Sequence, residues 1–192
     1  MDLWGNYLSR QSELALAGEK NENLLRELCD DILKASNSES SLILTAGNGG
    51  SATTADHFAA DLSLSRKRGG VTLSAICLNS HLGLNTALSN DVSYEDALAV
   101  HLENYINVAA LLIVFSASGN SKNILKLLQI AVQNEIPSWA LLGFDGGLVA
   151  SIPDVKKLIF PDKTRNYGLT ENIHLSATHF IVDQLAIRTS ER

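Results

Sequence analysis

Two short stretches of this sequence combine residue types that can do chemistry. Ser116-Ala117-Ser118-Gly119-Asn120-Ser121 puts three hydroxyls around a glycine, directly after the apolar run Ala109–Phe115 and directly before a helical pattern over 121–134. Hydroxyls and backbone N–H groups at a helix start can surround a phosphate dianion without any basic side chain. Gly47-Asn48-Gly49-Gly50-Ser51 has the same setting, after an apolar run over 41–46 and before a helical run over 51–64. Its glycines let backbone approach a ligand, and the helix start supplies free amides and the positive end of a dipole. The plainer alternative is a tight turn with a serine cap in the first loop, and a cap by Asn120 or Ser121 in the second. A cap accounts for one polar residue, whereas the second loop has four.

The first helix of that pair carries a further combination. His57 and Asp61 are four residues apart, so they share a face just beyond the glycine loop. An ordinary i,i+4 ion pair on an exposed face is the competing interpretation. Lone His174 reads as a packing or interface histidine, and Glu95 and Glu103 as solvated charges on a helix. Arg66-Lys67-Arg68 reads as a solvated turn, with a smaller role open to it in phosphate or subunit contact.

The elements that must position these groups alternate. Residues 3–36 are helical in pattern, with Leu24, Leu25, Leu28, Ile32 and Leu33 forming an apolar stripe. Strands are expected over 41–46, 71–78, 109–115, 137–142 and, weakly, 155–160. Helices are expected over 51–64, 81–89, about 94–106, 121–134 and 170–189. Alternation of this kind predicts an α/β fold with a mostly parallel sheet covered on both faces. Both glycine- or serine-bearing loops then fall at strand C-terminal ends, where open parallel sheets bind ligands. The first 36 residues and the last helix lie outside the alternating unit, and their apolar stripes require cover from the domain or from another subunit.

Composition narrows the class. The chain has 192 residues and a formal net charge of −6, which argues against a nucleic-acid or acidic-membrane partner. Its two cysteines, Cys29 and Cys77, show no metal spacing or disulfide framework, so a reducing cytoplasm is expected. No apolar stretch reaches membrane-spanning length.

The two loops, together with Asp56-His57-Phe58-Ala59-Ala60-Asp61-Leu62, Asn90-Asp91 followed by Tyr94-Glu95, and the closing His174…His179 segment, resemble the sugar isomerase (SIS) family and, within it, the phosphoheptose isomerases. The resemblance covers nearly the whole chain. It implies a single SIS domain over 1–192, a three-layer α/β/α sandwich with a mostly parallel five-stranded sheet and extra terminal helices. Residues 1–36 would serve oligomerisation, in a homotetramer with sites shared between subunits. It implies phosphate held by Ser116, Ala117, Ser118 and Ser121, with the sugar contacted near Asn48, Gly49, Ser51, Asp91 and Glu171. Asp61 stands where the family has a catalytic glutamate, and His179 matches its catalytic histidine. Zinc is the cofactor some members bind, through the equivalents of His57, Asp61, Glu171 and His179. The implied reaction converts sedoheptulose 7-phosphate to D-glycero-D-manno-heptose 7-phosphate through an enediol(ate).

Two departures fall on the chemistry. Asp61 in place of glutamate withdraws a carboxylate by about 1.3–1.5 Å, and a misplacement of about 1 Å can cost on the order of 100-fold. Glu171 in place of glutamine adds a negative charge, which favours a cation and disfavours an enediolate. Glu171 and His179, eight residues apart, would be separated by about 12 Å along a helix axis. They can meet one ion only if the helix starts after Glu171 or if they come from different subunits. Lys163 and Arg165 reach toward substrate or remain surface charge. The alternative function, from another class, is a non-catalytic SIS protein binding a phosphosugar or a protein partner, and an isomerase of a different phosphosugar is also open. A pure binder has no need of His57, Asp61 and His179 beside three loop serines.

Overall fold

The computed structural model describes residues 2–36, 42–65 and 73–190. The Arg66–Arg68 cluster and the first residues of the expected strand over 71–78 lie outside them. Five strands, β1 (Leu42–Ala46), β2 (Ser74–Cys77), β3 (Ala109–Ser116), β4 (Ser138–Gly143) and β5 (Val155–Phe160), form one sheet in the order β2-β1-β3-β4-β5. Every pairing is parallel. The helices are α1 (Leu3–Ala17), α2 (Glu22–Ser36), α3 (Gly50–Ser63), α4 (Leu82–Asp91), α5 (Ala97–Glu103), α6 (Lys122–Gln133) and α7 (Tyr167–Ser190).

The strand residues show why both faces must be covered. Along β3, Leu111, Ile113 and Phe115 enter one core, while Leu112 and Val114 enter the other. On β4, Trp139 and Leu141 point one way and Ala140 and Leu142 the other. An apolar strand side chain stabilises the fold by about 1.5–3 kcal/mol when fully buried, so neither face of this sheet can stay wet. The first core is closed by Leu28 and Ile32 of α2, Phe58 and Leu62 of α3, and Ile181 and Leu185 of α7. The second is closed by Leu98 and Leu102 of α5 and Ile124, Leu127 and Leu128 of α6. The result is the three-layer α/β/α sandwich expected from the alternation.

Strand order locates the site. The connection through α3 carries the chain from β1 outward to β2, while that through α6 carries it from β3 outward to β4. The strand order therefore reverses between β1 and β3, leaving a crevice outside their C-terminal ends. The glycine loop follows β1 and the serine loop follows β3, so both border that crevice.

Several element boundaries differ from the sequence pattern. The helical run over 3–36 is broken by a 3-10 turn at Glu19–Asn21, where Gly18 lies close against the Phe160 ring and the Asn21 side chain donates to the Ile159 carbonyl. Helix α2 packs into the core, whereas α1 buries only Leu14. The helix expected over about 94–106 is confined to Ala97–Glu103, flanked by turns. Glu95 in the preceding turn pairs with Lys122 at 2.7 Å. Helix α7 begins three residues earlier than the pattern indicated, at Tyr167. Among the described residues, no helix is long and apolar enough to cross a membrane.

Candidate active site

The serine loop is held by its own backbone and by a neighbouring turn. Gly119 has φ +61°, and a Cβ there would lie 2.0 Å from the Gly146 carbonyl oxygen, so no other residue fits. The Asn120 side chain donates to the Ser118 carbonyl at 3.0 Å and accepts from the Leu148 N–H at 3.0 Å, stapling the loop to that turn. Ser116 Oγ accepts from the Gly119 N–H at 3.1 Å and Ser118 Oγ from the Asn120 N–H at 3.2 Å. Each hydroxyl keeps its own proton to donate to a ligand. Ser121 precedes α6 but makes no side-chain capping bond. Asn123 caps the first turn instead, accepting the Ile124 N–H at 3.0 Å. The capping alternative for Ser121 therefore fails, because another side chain does that work.

Ser116, Ala117, Ser118 and Ser121 line a cavity of about 60 Å³ with Asn48, Ser51, Phe115, Tyr167 and Glu171. The two loops thus face each other across one small polar space. Glu171 reaches it from α7, with its carboxylate against the first residue of α3: a Cβ on Gly50 would lie 2.2 Å from Glu171 Oε2. Burial pushes the Glu171 carboxyl above its usual range.

A second cluster lies further along the same two helices. His57 Nε2 is 3.2 Å from Asp61 Oδ2 and 3.1 Å from His179 Nε2. Ligand atoms of His57, Asp61 and His179 all lie within 4.8 Å of one another. Asp61 is nearly buried and both histidines are exposed, so the cluster opens to solvent. Two imidazole nitrogens and a carboxylate oxygen are a donor set for zinc with an open position. Ligands about 2.0–2.1 Å from a tetrahedral ion sit roughly 3.3–3.4 Å apart, close to the two separations seen. The residues present fit such an ion, and the shorter aspartate at position 61 reaches far enough to join the set.

Glu171 is not a member of that cluster. Because α7 is continuous from Tyr167, Glu171 and His179 lie on one helix, eight residues and about 12 Å apart. Within one chain they cannot hold the same ion. Asp91, expected near the sugar, ends α4 in an exposed position, where it accepts from the Asn90 side chain at 2.8 Å, and it does not line the serine cavity. Gly49 follows Asn48 with φ +53°. His174 is fully buried between Phe115 and Phe160. Arg165 pairs with Asp145 at 2.5 Å.

Three further residues join the site, of which only Tyr94 stands in a motif quoted above, and none was given a role there. Tyr167 lines the serine cavity. Asn123 and Tyr94 both hydrogen-bond Asn48. A signal for Asn123 exists in the sequence: it stands on the stripe Ile124, Leu127, Leu128 and Ala131, a polar residue on a buried helix face.

Comparison with known proteins places this geometry. The SIS domain model matches residues 6–143. A phosphoheptose isomerase of Helicobacter pylori strain 26695 is 38% identical over 141 residues, 73% of this chain and 72% of its own. Another, from strain P12, is 32% identical over 177 residues, covering 92% of this chain and 90% of its own. The solved structure of the phosphoheptose isomerase of Neisseria gonorrhoeae superposes with a TM-score of 0.85 at 23% identity, over 94% of this chain and 95% of that one, and so shares the fold. The chain belongs to the SIS-domain family and, within it, to the phosphoheptose isomerases.

Proposed function

We propose that the protein is an aldose–ketose isomerase that converts sedoheptulose 7-phosphate to D-glycero-D-manno-heptose 7-phosphate. The observation carrying this reading is that the two helices bearing His57, Asp61 and His179 also border the serine-lined cavity, through Ser51 on α3 and Glu171 on α7. The two centres are roughly 10–12 Å apart along the helix axes, the scale of a phosphosugar and not of one coordination sphere.

Ser116, Ser118 and Ser121 hold the phosphate through their hydroxyls, and Asn48, Gly49 and Ser51 border the sugar. The isomerisation removes a proton from C1 of the ketose and returns one to C2, while a hydroxyl proton passes from O1 to O2. With no ion bound, Asp61 Oδ2 and His179 Nε2 are the acceptors this chain offers for the carbon-bound proton; the same atoms would be the ligands of a bound ion. His57, Asp61 and His179 would hold zinc, which when bound would polarise the sugar carbonyl and stabilise the developing oxyanion. A protein that only binds a phosphosugar has no use for this clustered set.

A homotetramer with shared sites accompanies the proposal. It is supported by α1, whose Leu3, Trp4, Leu8 and Leu16 are exposed, and by α4, which buries none of its residues in one chain. Two buried free cysteines fit a cytoplasmic setting.

The test is an assay of purified protein on sedoheptulose 7-phosphate, with chelator and with added zinc. Aldoheptose 7-phosphate is expected, lost on chelation and regained with zinc. No aldose product under any metal condition overturns the assignment. Full turnover after chelation, with no metal bound, removes zinc and leaves Asp61 and His179 as acid–base groups.

A further inference from the structure

We infer that Asn123 and Tyr94 are positioning residues that lock the Asn48 amide, so that Asn48 can offer a bound sugar only one N–H. This rests on the isomerase reading above and assigns a part of the site beyond it.

The argument starts from a group whose role cannot be reversed. A backbone N–H only donates, and the Ile124 N–H points at the Asn123 side chain with a separation of 3.0 Å, so the atom it meets is the amide oxygen. That fixes the orientation of Asn123, which is 3% exposed. Asn123 Oδ1 then accepts from Asn48 Nδ2 at 2.8 Å, and Asn123 Nδ2 donates to Asn48 Oδ1 at 2.8 Å. The two amides form a head-to-tail pair across the crevice, tying the loop after β1 to the first turn of α6. The Tyr94 hydroxyl donates to the same Asn48 oxygen at 2.8 Å.

Counting hydrogen-bonding capacity gives the consequence. Both acceptor positions of Asn48 Oδ1 are taken, by Asn123 and Tyr94, and one of its two N–H groups is taken by Asn123. One N–H remains, on a residue that lines the serine cavity. Asn48 therefore meets a ligand as a donor alone, held in place before the ligand arrives. A fixed donor favours an oxygen that gains negative charge, such as an enediolate oxygen, over a neutral hydroxyl that seeks an acceptor. Paired amides cost little reorganisation during the reaction, which is the use of holding Asn48 from two sides.

Asn123→Asp and Tyr94→Phe test this. The aspartate keeps an acceptor for the Ile124 N–H but cannot donate to Asn48 Oδ1. The tyrosine ring is exposed, so its hydroxyl can be removed without a folding cost. The probes are inorganic phosphate and a phosphorylated sugar hydroxamate, an anionic mimic of the enediolate, bound by calorimetry so that misfolded protein lowers stoichiometry and not affinity. Asn123→Asp is expected to weaken the hydroxamate on the order of 100-fold and Tyr94→Phe by about threefold to tenfold. Tyr94→Phe should leave phosphate affinity within about threefold, and Asn123→Asp, which adds a carboxylate near the cavity, should weaken phosphate by no more than about tenfold. Unchanged hydroxamate affinity in both variants, or equal loss of phosphate and hydroxamate, overturns the positioning role. Parent protein that binds neither probe overturns the isomerase reading instead.

Discussion

Glu171 and His179 stand on one unbroken helix yet meet α3 at opposite ends of the site: the Glu171 carboxylate lies against Gly50, and the His179 ring meets His57 at 3.1 Å. The spacing matches on both helices, eight residues on α7 and seven on α3. The two helices thus run side by side, with the anion cavity at one level and the histidine–aspartate cluster about two turns away.

That separation predicts distinct effects at the two levels. Glu171→Gln should leave zinc content unchanged and tighten sulfate binding on the order of tenfold at pH 7.5, because a carboxylate beside an anion site repels it. Sulfate keeps its charge over the range, so the pH dependence belongs to the protein. Burial raises the folded pKa of Glu171. The stability it contributes is thus full below the ordinary carboxylate range and is lost as pH rises through the folded value. The glutamine variant should therefore be more stable than the parent at pH 7.5, with the difference shrinking toward pH 4. Metal analysis, calorimetry and urea denaturation check this. Zinc lost from the variant with sulfate binding unaltered would return Glu171 to the metal.

His179→Ala probes the other level. Turnover should fall by about 10²–10⁴-fold, the usual contribution of a positioned proton carrier. Inorganic phosphate affinity should stay within about threefold, since the serine loop does not touch the His179 ring. An active variant removes His179 from the chemistry.

How much of this was legible beforehand differs by residue. Helix periodicity alone put His57 and Asp61 on one face, and strand patterning put both loops at strand ends. The reversal of strand order between β1 and β3 was not readable, because buried parallel strands are apolar on both sides and carry no mark of their neighbours. His179 is 122 residues from His57, and local pattern says nothing about such a contact; only the family resemblance supplied it. The start of α7 was misplaced because Asn166 supplies the cap, its side chain accepting the Leu169 N–H at 3.0 Å, while Gly168 and the preceding irregular segment hide the helical signal. Either start leaves Glu171 and His179 on one helix, so the separation that keeps them from one ion was already readable from the spacing.

The serine loop gives a third prediction. Ser121→Ala removes a hydroxyl lining the cavity and leaves the staple through Asn120 intact. A hydrogen bond to a charged group contributes about 1.5–3 kcal/mol, so KM for sedoheptulose 7-phosphate should rise about 10- to 100-fold. Loss confined to kcat, with KM unchanged, would move the phosphate away from this loop. Ser116→Ala and Ser118→Ala are weaker tests, because their hydroxyls also accept the Gly119 and Asn120 N–H groups and their loss would disturb the loop itself.

His174 predicts the acid limit of the fold. Its ring is fully buried beside Phe115 and Phe160, and burial drives its pKa from 6.5 down to about 4. The folded state therefore holds the neutral ring, while the unfolded chain protonates near the ordinary value. For a depressed pKa, the contribution to stability is full above about pH 6.5 and is lost as pH falls through about 4. The shift corresponds to a loss on the order of 3 kcal/mol across that window, a large part of a typical domain's stability. His174→Leu removes the titration and keeps an apolar side chain between the two phenyl rings. Urea denaturation of parent and variant from pH 7 to pH 4 should show the parent losing about 3 kcal/mol more than the variant. Every carboxylate is common to both proteins and cancels in the difference. Parallel stability curves would mean that the ring accepts a proton without unfolding the core, and that His174 does not set the acid limit.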